Sequence, residues 1–347
     1  MTFSQKITSW YSEHKRELPW RETKDPYKIW LSEVILQQTR VAQGLPYYQN
    51  FINNFPTIFD LAQADQQQVL KSWQGLGYYS RARNLHHTAQ YICENLGGKF
   101  PDNYTDLLKL KGIGSYTAAA IASFSYEEPV AVLDGNVYRV LSRYFGIETD
   151  ISSFKAKKEF QQLADEVLDK TQPSVFNQAI MEFGALQCVP KNPDCKKCIF
   201  KNSCFALQKN KVDQLPVKLK KTKVTQRFLN YLVLLDENQN TIIKKRTQNG
   251  IWKNLYEFPL LEVNQKTDIE DLMQKITENY SNEYYIDNIS VFNQKEVIHK
   301  LSHQELHIRF WKITVKNNLK DGIPLSETVN YPFPIVIFNF ILSNLTI

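Results

Sequence analysis

Four cysteines crowd one short stretch of this 347-residue chain. Cys188, Cys195, Cys198 and Cys204 follow the spacing C-x6-C-x2-C-x5-C. Four thiolates in one irregular loop predict a metal site, and thiolates select zinc or an iron–sulfur cluster. Zinc sites usually divide their ligands into two C-x-x-C pairs, whereas only Cys195 and Cys198 form such a pair here. The spacing favours a 4Fe–4S cluster, with zinc as the alternative and a disulfide framework as a distant third.

The composition excludes several classes of protein. A hydrophobic fraction of 43% is ordinary for a globular protein. The longest apolar run, 333–342, is too short to cross a bilayer, so no membrane partner is expected. No signal peptide is recognisable and Cys93 is the only further cysteine, so we expect a cytoplasmic protein. The net charge of +6 is compatible with a polyanionic partner without establishing one.

A change of hydrophobic periodicity predicts two domains. Helical spacing dominates up to about residue 207, and period-two runs follow from about residue 226. Between them, 208–225 is a basic stretch, which is either a solvated linker or a contact to phosphate. Its cations, with one beyond its end, are Lys209, Lys211, Lys218, Lys220, Lys221, Lys223 and Arg227. We expect an all-α domain over 1–207 that includes the cysteine loop 188–204, the linker 208–225, and a smaller α+β domain over 226–347.

The same patterns give approximate bounds for the elements. Helices are predicted over 5–15, 27–43, 66–74, 81–95, 104–110, 115–125, 137–145, 154–168, 176–186 and 268–280. Strands are predicted over 228–235, 241–245 and 306–315.

A glycine hairpin lies between two of the predicted helices. In Gly112-Ile113-Gly114 the backbone can turn tightly and present its amides at the start of the following helix, where the dipole favours an anion. This helix–hairpin–helix pattern can hold DNA phosphate without reading sequence, although an ordinary helical corner can use the same residues. Asp134 follows 20 residues after Gly114 and is either a helix N-cap or a carboxylate facing a cleft. Breaking a glycosidic bond needs such an anion beside the cationic sugar.

Glycine hairpin, downstream aspartate and four-cysteine loop, in that order, resemble the endonuclease III superfamily of DNA glycosylases. Bifunctional members carry a lysine at the position of Tyr116, where it forms a Schiff base with the sugar, so the resemblance implies a monofunctional enzyme. The segments 18–21, 30–39, 75–85 and 181–185 are similar to those of the adenine DNA glycosylase (MutY) family.

Glu33 supports this assignment from its own surroundings. Asp25-Pro26 is a good helix start, and Trp30, Val34 and Ile35 would face the core around Glu33. A carboxyl group among apolar neighbours has a raised pKa, as a general acid requires, whereas a surface glutamate is the alternative.

The resemblance implies roles for further residues. Glu33 would protonate N7 of an adenine flipped out of the duplex, Asp134 would stabilise the oxocarbenium-like sugar, and Tyr116 and Asn136 would arrange that region. Residues matching the adenine pocket are Trp20, Arg21, Leu36 and Glu182; those matching the base-stack contacts are Gln38, Thr39 and Tyr78. Tyr78 and Tyr79 could equally be core aromatics, and Arg81 and Arg83 could be solvated.

Residues 251–259 and 301–303 resemble landmarks of the Nudix-like domain that reads 8-oxoguanine in this family. The resemblance carries Ser302 and His303 over as contacts to that base. Asn254 stands where glycine is usual, but asparagine tolerates the left-handed conformation, and Leu301 replaces the usual phenylalanine. No Nudix box is recognisable, so pyrophosphohydrolase activity is not expected.

The overall expectation is a monomeric DNA N-glycosylase that removes adenine mispaired with 8-oxoguanine or guanine from duplex DNA in base excision repair. Two alternatives remain open. One is a bifunctional pyrimidine glycosylase of the endonuclease III type, and the other is a non-catalytic DNA-binding module.

Overall fold

The computed structural model describes residues 1–219 and 223–345, so Lys220 and Lys221 of the predicted linker lie outside the described residues. The contacts divide the chain into two compact units. The helical unit consists of residues 1–63 and 84–219. The C-terminal unit consists of residues 223–345 together with 64–83, a segment drawn from within the helical part of the sequence.

Helices occupy most of the first 210 residues and recur later in the chain. They are α1 (Phe3–His14), α2 (Pro26–Leu36), α3 (Val41–Asn54), α4 (Ile58–Gln63), α5 (Gln66–Ser72), α6 (Ser80–Leu96), α7 (Tyr104–Leu107), α8 (Ser115–Tyr126), α9 (Gly135–Phe145), α10 (Phe154–Val167), α11 (Pro173–Leu186), α12 (Phe205–Gln208), α13 (Ile269–Tyr280) and α14 (Ile335–Asn344), with short 3-10 helices at Pro19–Arg21 and Leu325–Asn330. No helix within 1–219 or 223–345 is long and apolar enough to cross a membrane.

Two helices, α2 and α8, form the centre of the helical unit and pack against each other. Ile29, Trp30 and Leu31 of α2 are at most 1% exposed, and Ala118–Ala120 of α8 are at most 2% exposed. Asp25 caps α2 by accepting from the Tyr27 amide at 2.9 Å, and proline follows at the first turn. Helices that are apolar on nearly every side must be enclosed by others, and the alanines allow close approach.

The glycine hairpin before α8 is formed as predicted. Gly112 has φ +79°, and a Cβ there would lie 2.7 Å from the side chain of Asn84, so glycine is required. Ile113 plugs the core at 5% exposure. Gly114 is the N-cap of α8 without a side-chain cap, and nothing lies within 4 Å of its Cβ position. The start of α8 at Gly114 is therefore uncrowded on the side where a side chain would lie.

The single helix predicted over 27–43 is wrong. Helix α2 ends at Leu36, Gln38 adopts a left-handed conformation with φ +57°, and α3 begins at Val41. Glutamine has no turn preference, so the local pattern gave no sign of the break. The predicted site residues Gln38 and Thr39 lie in this short connection.

The C-terminal unit is built on a mixed sheet. Its strands are β1 (Thr225–Leu235), β2 (Asn240–Thr241), β3 (Lys244–Lys245), β4 (Tyr256–Glu257), β5 (Leu260–Val263), β6 (Ile286–Val291), β7 (Val297–Lys300), β8 (Gln304–Val315) and β9 (Ile323–Pro324). The central order is β5-β1-β8-β6, and β7 also pairs with β8. β1 and β8 run parallel, and the other partners in this sheet are antiparallel.

Helix α13 covers one face of this sheet. Leu272 and Ile276 of α13 pack with Leu232 of β1 and Trp311 of β8, all at most 1% exposed. The predicted strand over 241–245 is wrong as a single element, because β2 and β3 pair with different partners. The predicted helix over 268–280 and the strands around β1 and β8 are confirmed.

Candidate active site

A cavity of about 530 Å³ lies in the helical unit among α2, α8, α9, α11 and the 3-10 helix at Pro19–Arg21. The predicted site residues that line it are Trp20, Arg21, Glu33, Leu36, Thr39, Tyr116, Asp134, Asn136 and Glu182. These residues come from five separate parts of the sequence. The fold therefore gathers the predicted catalytic residues and most of the predicted pocket around one space.

Glu33 lies on the buried face of α2 and is 5% exposed. The Tyr116 hydroxyl donates to its Oε2 at 2.5 Å. Burial raises the pKa of Glu33 to about 7; the Tyr116 hydrogen bond opposes this rise, and the nearby Asp134 carboxylate adds to it. Glu33 can therefore carry a proton near neutral pH and release it to a base, which is the behaviour of a general acid.

Asp134 both caps α9 and lines the cavity, so it is at once the helix N-cap and the cleft carboxylate that the sequence offered as alternatives. Its Oδ1 accepts from the Val137 amide at 2.8 Å, and its Oδ2 accepts from Asn136 Nδ2 at 2.7 Å. Burial raises the pKa of Asp134, and these hydrogen bonds work against that rise. Since more donors hold the carboxylate of Asp134 than that of Glu33, Asp134 is the better placed of the two to stay ionised.

Glu182 of α11 is a third carboxylate in the cavity, and two arginines neutralise it. Arg16 donates to it through Nε at 2.8 Å and Nη2 at 2.6 Å, and Arg21 donates through Nη1 at 3.0 Å and Nη2 at 2.7 Å. Burial alone would raise the pKa of Glu182, but the bonds from Arg16 and Arg21 lower it to about 2. Arg16 was missed by the sequence reasoning, because no quoted motif includes it.

A second groove, of about 590 Å³, adjoins this cavity. Gln38, Gly112 and Gly114 line it, and Glu33, Leu36, Tyr116 and Asp134 belong to both spaces. The amides at the start of α8 and the residues of the α2–α3 connection thus border the carboxylates. This arrangement can hold a phosphate of an extended chain beside a group that enters the cavity.

The four cysteines line one small cavity of about 30 Å³. The Phe200 amide donates to Cys198 Sγ at 3.4 Å, and Arg143 Nη1 donates to Cys188 Sγ at 3.5 Å. Hydrogen bonds to sulfur of this kind surround iron–sulfur clusters in proteins, so the donor set fits such a group. Within 1–219 and 223–345, no three His, Cys, Asp or Glu side chains form a group that could hold a single metal ion.

Two buried arginines of α9 join the cysteine loop to the catalytic side of the unit. Arg143 donates to the carbonyl groups of Val189 and Pro190 at 2.8 and 3.0 Å. Arg139 donates to the Cys188 carbonyl at 2.7 Å and to Asn136 Oδ1 at 2.9 Å. The sequence analysis missed both arginines, because the pattern of α9 does not indicate that they bond to carbonyl groups of the distant cysteine loop.

The remaining predicted residues belong to the C-terminal unit. Ser302 and His303 are exposed in the connection between β7 and β8, and the Tyr78 hydroxyl is hydrogen-bonded to Ser302 Oγ. Tyr78 is 48% exposed with φ +46°, whereas Tyr79 is buried, so only Tyr79 is a core aromatic. Asn254 has φ +68°, the left-handed conformation that its sequence position predicts.

The two arginines after Tyr79, Arg81 and Arg83, are partly buried and donate to carbonyl groups. Arg81 donates to the carbonyl groups of Leu76 and Gly77 at 3.3 Å, and burial lowers its pKa to about 10. Arg83 Nη1 donates to the Lys253 carbonyl at 2.9 Å. The sequence left these arginines open, and the structure assigns them to packing within the C-terminal unit.

Comparison with known families agrees with this architecture. Residues 31–170 match the HhH-GPD superfamily of base excision DNA repair proteins, and residues 230–342 match the NUDIX domain. A thermostable thymine-DNA glycosylase of known structure superimposes with a TM-score of 0.56 and 28% identity, covering 60% of this chain and 95% of that one. An endonuclease III–DNA complex shares the fold, with a TM-score of 0.53 and 20% identity over 60% of this chain and 94% of that one. The fold and its matches define a helix–hairpin–helix DNA N-glycosylase of base excision repair.

Similar sequences narrow the class. The adenine DNA glycosylase of Buchnera aphidicola subsp. Schizaphis graminum is 39% identical over 332 residues, covering 92% of each chain. The human adenine DNA glycosylase is 41% identical over 222 residues, covering 61% of this chain and 41% of the human one. The chain belongs to the adenine DNA glycosylase family.

Proposed function

We propose that this enzyme removes adenine paired with 8-oxoguanine or guanine from duplex DNA, as a monofunctional glycosylase that acts as a monomer on the DNA inside the cell. The observation that carries the proposal is the pairing of Glu33, whose pKa is about 7, with Asp134 around one cavity. Acid-assisted cleavage of a glycosidic bond uses two carboxyl groups with different pKa values, one protonated to donate and one ionised to stabilise the cation.

Glu33 acts as the general acid. An adenine that enters the cavity brings N7 within reach of the protonated carboxyl, and protonation makes the base a better leaving group. The Tyr116 hydroxyl fixes the position of the Glu33 carboxyl through its hydrogen bond to Oε2. Trp20 and Leu36 line the cavity as apolar walls for the base, and Glu182 forms its polar side, held by Arg21.

Asp134 stabilises the cationic sugar that forms as the base leaves. Its carboxylate is fixed by the Val137 amide and by Asn136, so it need not reorganise during the reaction. Tyr116 occupies the position from which a lysine would attack the sugar, and a phenol cannot form an imine. The product is therefore an intact strand that carries an abasic site.

The amides of Gly112 and Gly114 hold the DNA backbone, and Gln38, Thr39 and Tyr78 enter the base stack or approach the base opposite adenine. The C-terminal unit reads that base through Ser302 and His303, whose exposed polar groups can bond the edge of 8-oxoguanine. Tyr78 belongs to the same unit and is hydrogen-bonded to Ser302, so the base-stack contact and the reader are physically joined.

Cys188, Cys195, Cys198 and Cys204 would hold a 4Fe–4S cluster. When bound, the cluster would tie its loop together, and nearby exposed lysines such as Lys196 and Lys197 could then contact phosphate. Analysis of anaerobically purified protein should find about four irons per chain. Stoichiometric zinc without iron would contradict this assignment.

Single-turnover incubation with duplexes that carry adenine opposite 8-oxoguanine, guanine or thymine tests the whole proposal. We expect excision to be fastest opposite 8-oxoguanine, slower opposite guanine and slowest opposite thymine. The abasic strand should break only on heating or in alkali, and borohydride should trap little covalent complex. Strand scission in neutral buffer with a borohydride-trapped adduct would favour a bifunctional enzyme, and equal rates on the three duplexes would contradict the proposed specificity.

A further inference from the structure

The segment 64–83 lies between parts of the helical unit in sequence but belongs to the C-terminal unit in space. It contains α5 and the turn that carries Tyr78. Polar side chains attach it along its length to residues between 253 and 333 of the same unit. Ser302 and His303 are the proposed readers of the opposite base in this unit, and α5 has no proposed function so far.

Lys71 is the central attachment of α5. Its Nζ donates to the Val329 carbonyl at 2.5 Å and to the Tyr331 carbonyl at 3.3 Å, and it lies 4.1 Å from the centre of the Phe338 ring. Within 1–219 and 223–345 no salt bridge to Lys71 is formed, and burial lowers its pKa to about 8. The Lys71 ammonium group is paired with two carbonyl groups and an aromatic ring, and with no carboxylate in the described part of the chain. These contacts hold the backbone at Val329 and Tyr331 against α5.

Further bonds flank Lys71 on the same segment. Asn254 Nδ2 donates to Gln66 Oε1 at 2.6 Å, a bond that the glycine usual at this position could not make. The Phe333 amide donates to Gln74 Oε1 at 3.1 Å. The segment 64–83 is thereby attached to later residues of the C-terminal unit on both sides of Lys71.

The far end of the segment carries the contact to the reader. Tyr78 is hydrogen-bonded to Ser302, and Arg83 donates to the Lys253 carbonyl at 2.9 Å. Tyr78 has a left-handed backbone, which bulky residues rarely adopt unless their surroundings fix it. Trp73, directly after α5, donates from Nε1 to the Gly77 carbonyl at 3.0 Å, so the backbone that leads into Tyr78 is attached to the end of α5.

We propose that Lys71 is a positioning residue for recognition of the base opposite adenine, because it anchors α5 and so holds Tyr78 against Ser302. This inference rests on the proposed role of Ser302. Lys71 touches neither the adenine nor the opposite base, and it acts through the bond between Tyr78 and Ser302. Its loss should lower discrimination between opposite bases more than it lowers adenine removal itself.

The test compares single-turnover excision of adenine opposite 8-oxoguanine and opposite guanine for five variants of the full-length holoenzyme. Lys71→Met keeps the apolar stem and removes the ammonium group, and Lys71→Arg keeps a cation that can donate to carbonyls. Lys275→Met removes an exposed lysine of α13 as the matched control. Ser302→Ala removes the partner of Tyr78, and it is also combined with Lys71→Met.

We expect Lys71→Met to lower the ratio of the two rates about two- to ten-fold, the range of one hydrogen bond. Lys71→Arg should recover most of the ratio, and Lys275→Met should leave it unchanged. The double variant should show the same ratio as Ser302→Ala alone, because Lys71 acts only through the bond between Tyr78 and Ser302, which Ser302→Ala already removes.

Other results overturn the inference in distinguishable ways. If Ser302→Ala lowers the ratio and Lys71→Met does not, Lys71 has no positioning role and the proposed reader stands. If neither change lowers it, the proposed reader fails as well. Additive losses in the double variant would show that Lys71 does not act through Ser302. Should Lys71→Met fail to fold, Asn254→Gly keeps the left-handed backbone and removes the bond to Gln66; an unchanged ratio there also counts against the inference.

Discussion

The carboxylates of the helical unit and the polar groups of the C-terminal unit occupy opposite environments. Glu33 and Glu182 are 5% and 1% exposed, and each is held by donors from distant parts of the sequence. Tyr78 is 48% exposed, and Ser302 lies on an exposed connection between two strands. The first set is buried in a packed core, and the second set is presented on a surface.

This difference follows from what each set has to do. Desolvation shifts a pKa and strengthens electrostatic interactions, so groups that transfer a proton or stabilise a cation belong in a closed site. Groups that read a base within a duplex must reach the nucleic acid, and each hydrogen bond they make competes with water. Changes in the helical unit should therefore cost far more than equivalent changes in the C-terminal unit.

The largest effect is expected from the buried acid pair. Glu33→Gln keeps the size of the side chain and removes its transferable proton, so single-turnover excision should fall about 10²–10⁴-fold while duplex binding persists. Asp134→Asn should be similarly impaired through loss of the charge beside the sugar. Glu13→Gln, which alters an exposed carboxylate, should behave like the parent. Near-normal excision by a folded Glu33 variant would remove the contrast between the two units.

Glu33→Gln should also have a smaller effect on stability: the substitution that lowers activity should make the folded protein more stable. The pKa of Glu33 is raised to about 7 from an ordinary value of 4.5, so the parent loses stability as the pH rises through this range. Glutamine does not titrate, so Glu33→Gln should be more stable than the parent by about 1–3 kcal/mol at pH 8 and show little difference at pH 4. Denaturant unfolding at both pH values measures this. Equal stability of the parent and Glu33→Gln at pH 8 would contradict the desolvation of Glu33 that the structure indicates.

The sequence predicted those parts of the site whose causes are local. Burial of Glu33 followed from its apolar neighbours on one helix. The left-handed backbone at Asn254 followed from the resemblance, in which glycine is usual at this position, and from the tolerance of asparagine for that conformation. Arg16, one of the two partners of Glu182, could not be predicted, because it is 166 residues away in sequence. The break at Gln38 was missed because glutamine carries no turn signal.

The assignment of 64–83 to the C-terminal unit could not be predicted either, since Lys71 meets a carbonyl group 260 residues further along the chain. This placement also changes how the reader can be tested. Deleting the chain after about residue 224 would expose α5 and remove the partners of Tyr78, so lost discrimination would not identify the reader. Single substitutions at the exposed connection are the sharper test.

The smallest effect is expected from Ser302→Ala. One neutral hydrogen bond contributes about 0.5–1.5 kcal/mol, so the preference for adenine opposite 8-oxoguanine over guanine should fall about two- to ten-fold. Ser290→Ala, at an exposed serine of β6, is the matched control. Tyr78→Phe removes the hydroxyl bonded to Ser302 and keeps the ring, so it separates support of Ser302 from stacking. If Ser302→Ala kept the full preference while Tyr78→Phe lost it, the tyrosine hydroxyl would be the reader, and if both kept it, discrimination would reside in Gln38, Thr39 and the Tyr78 ring.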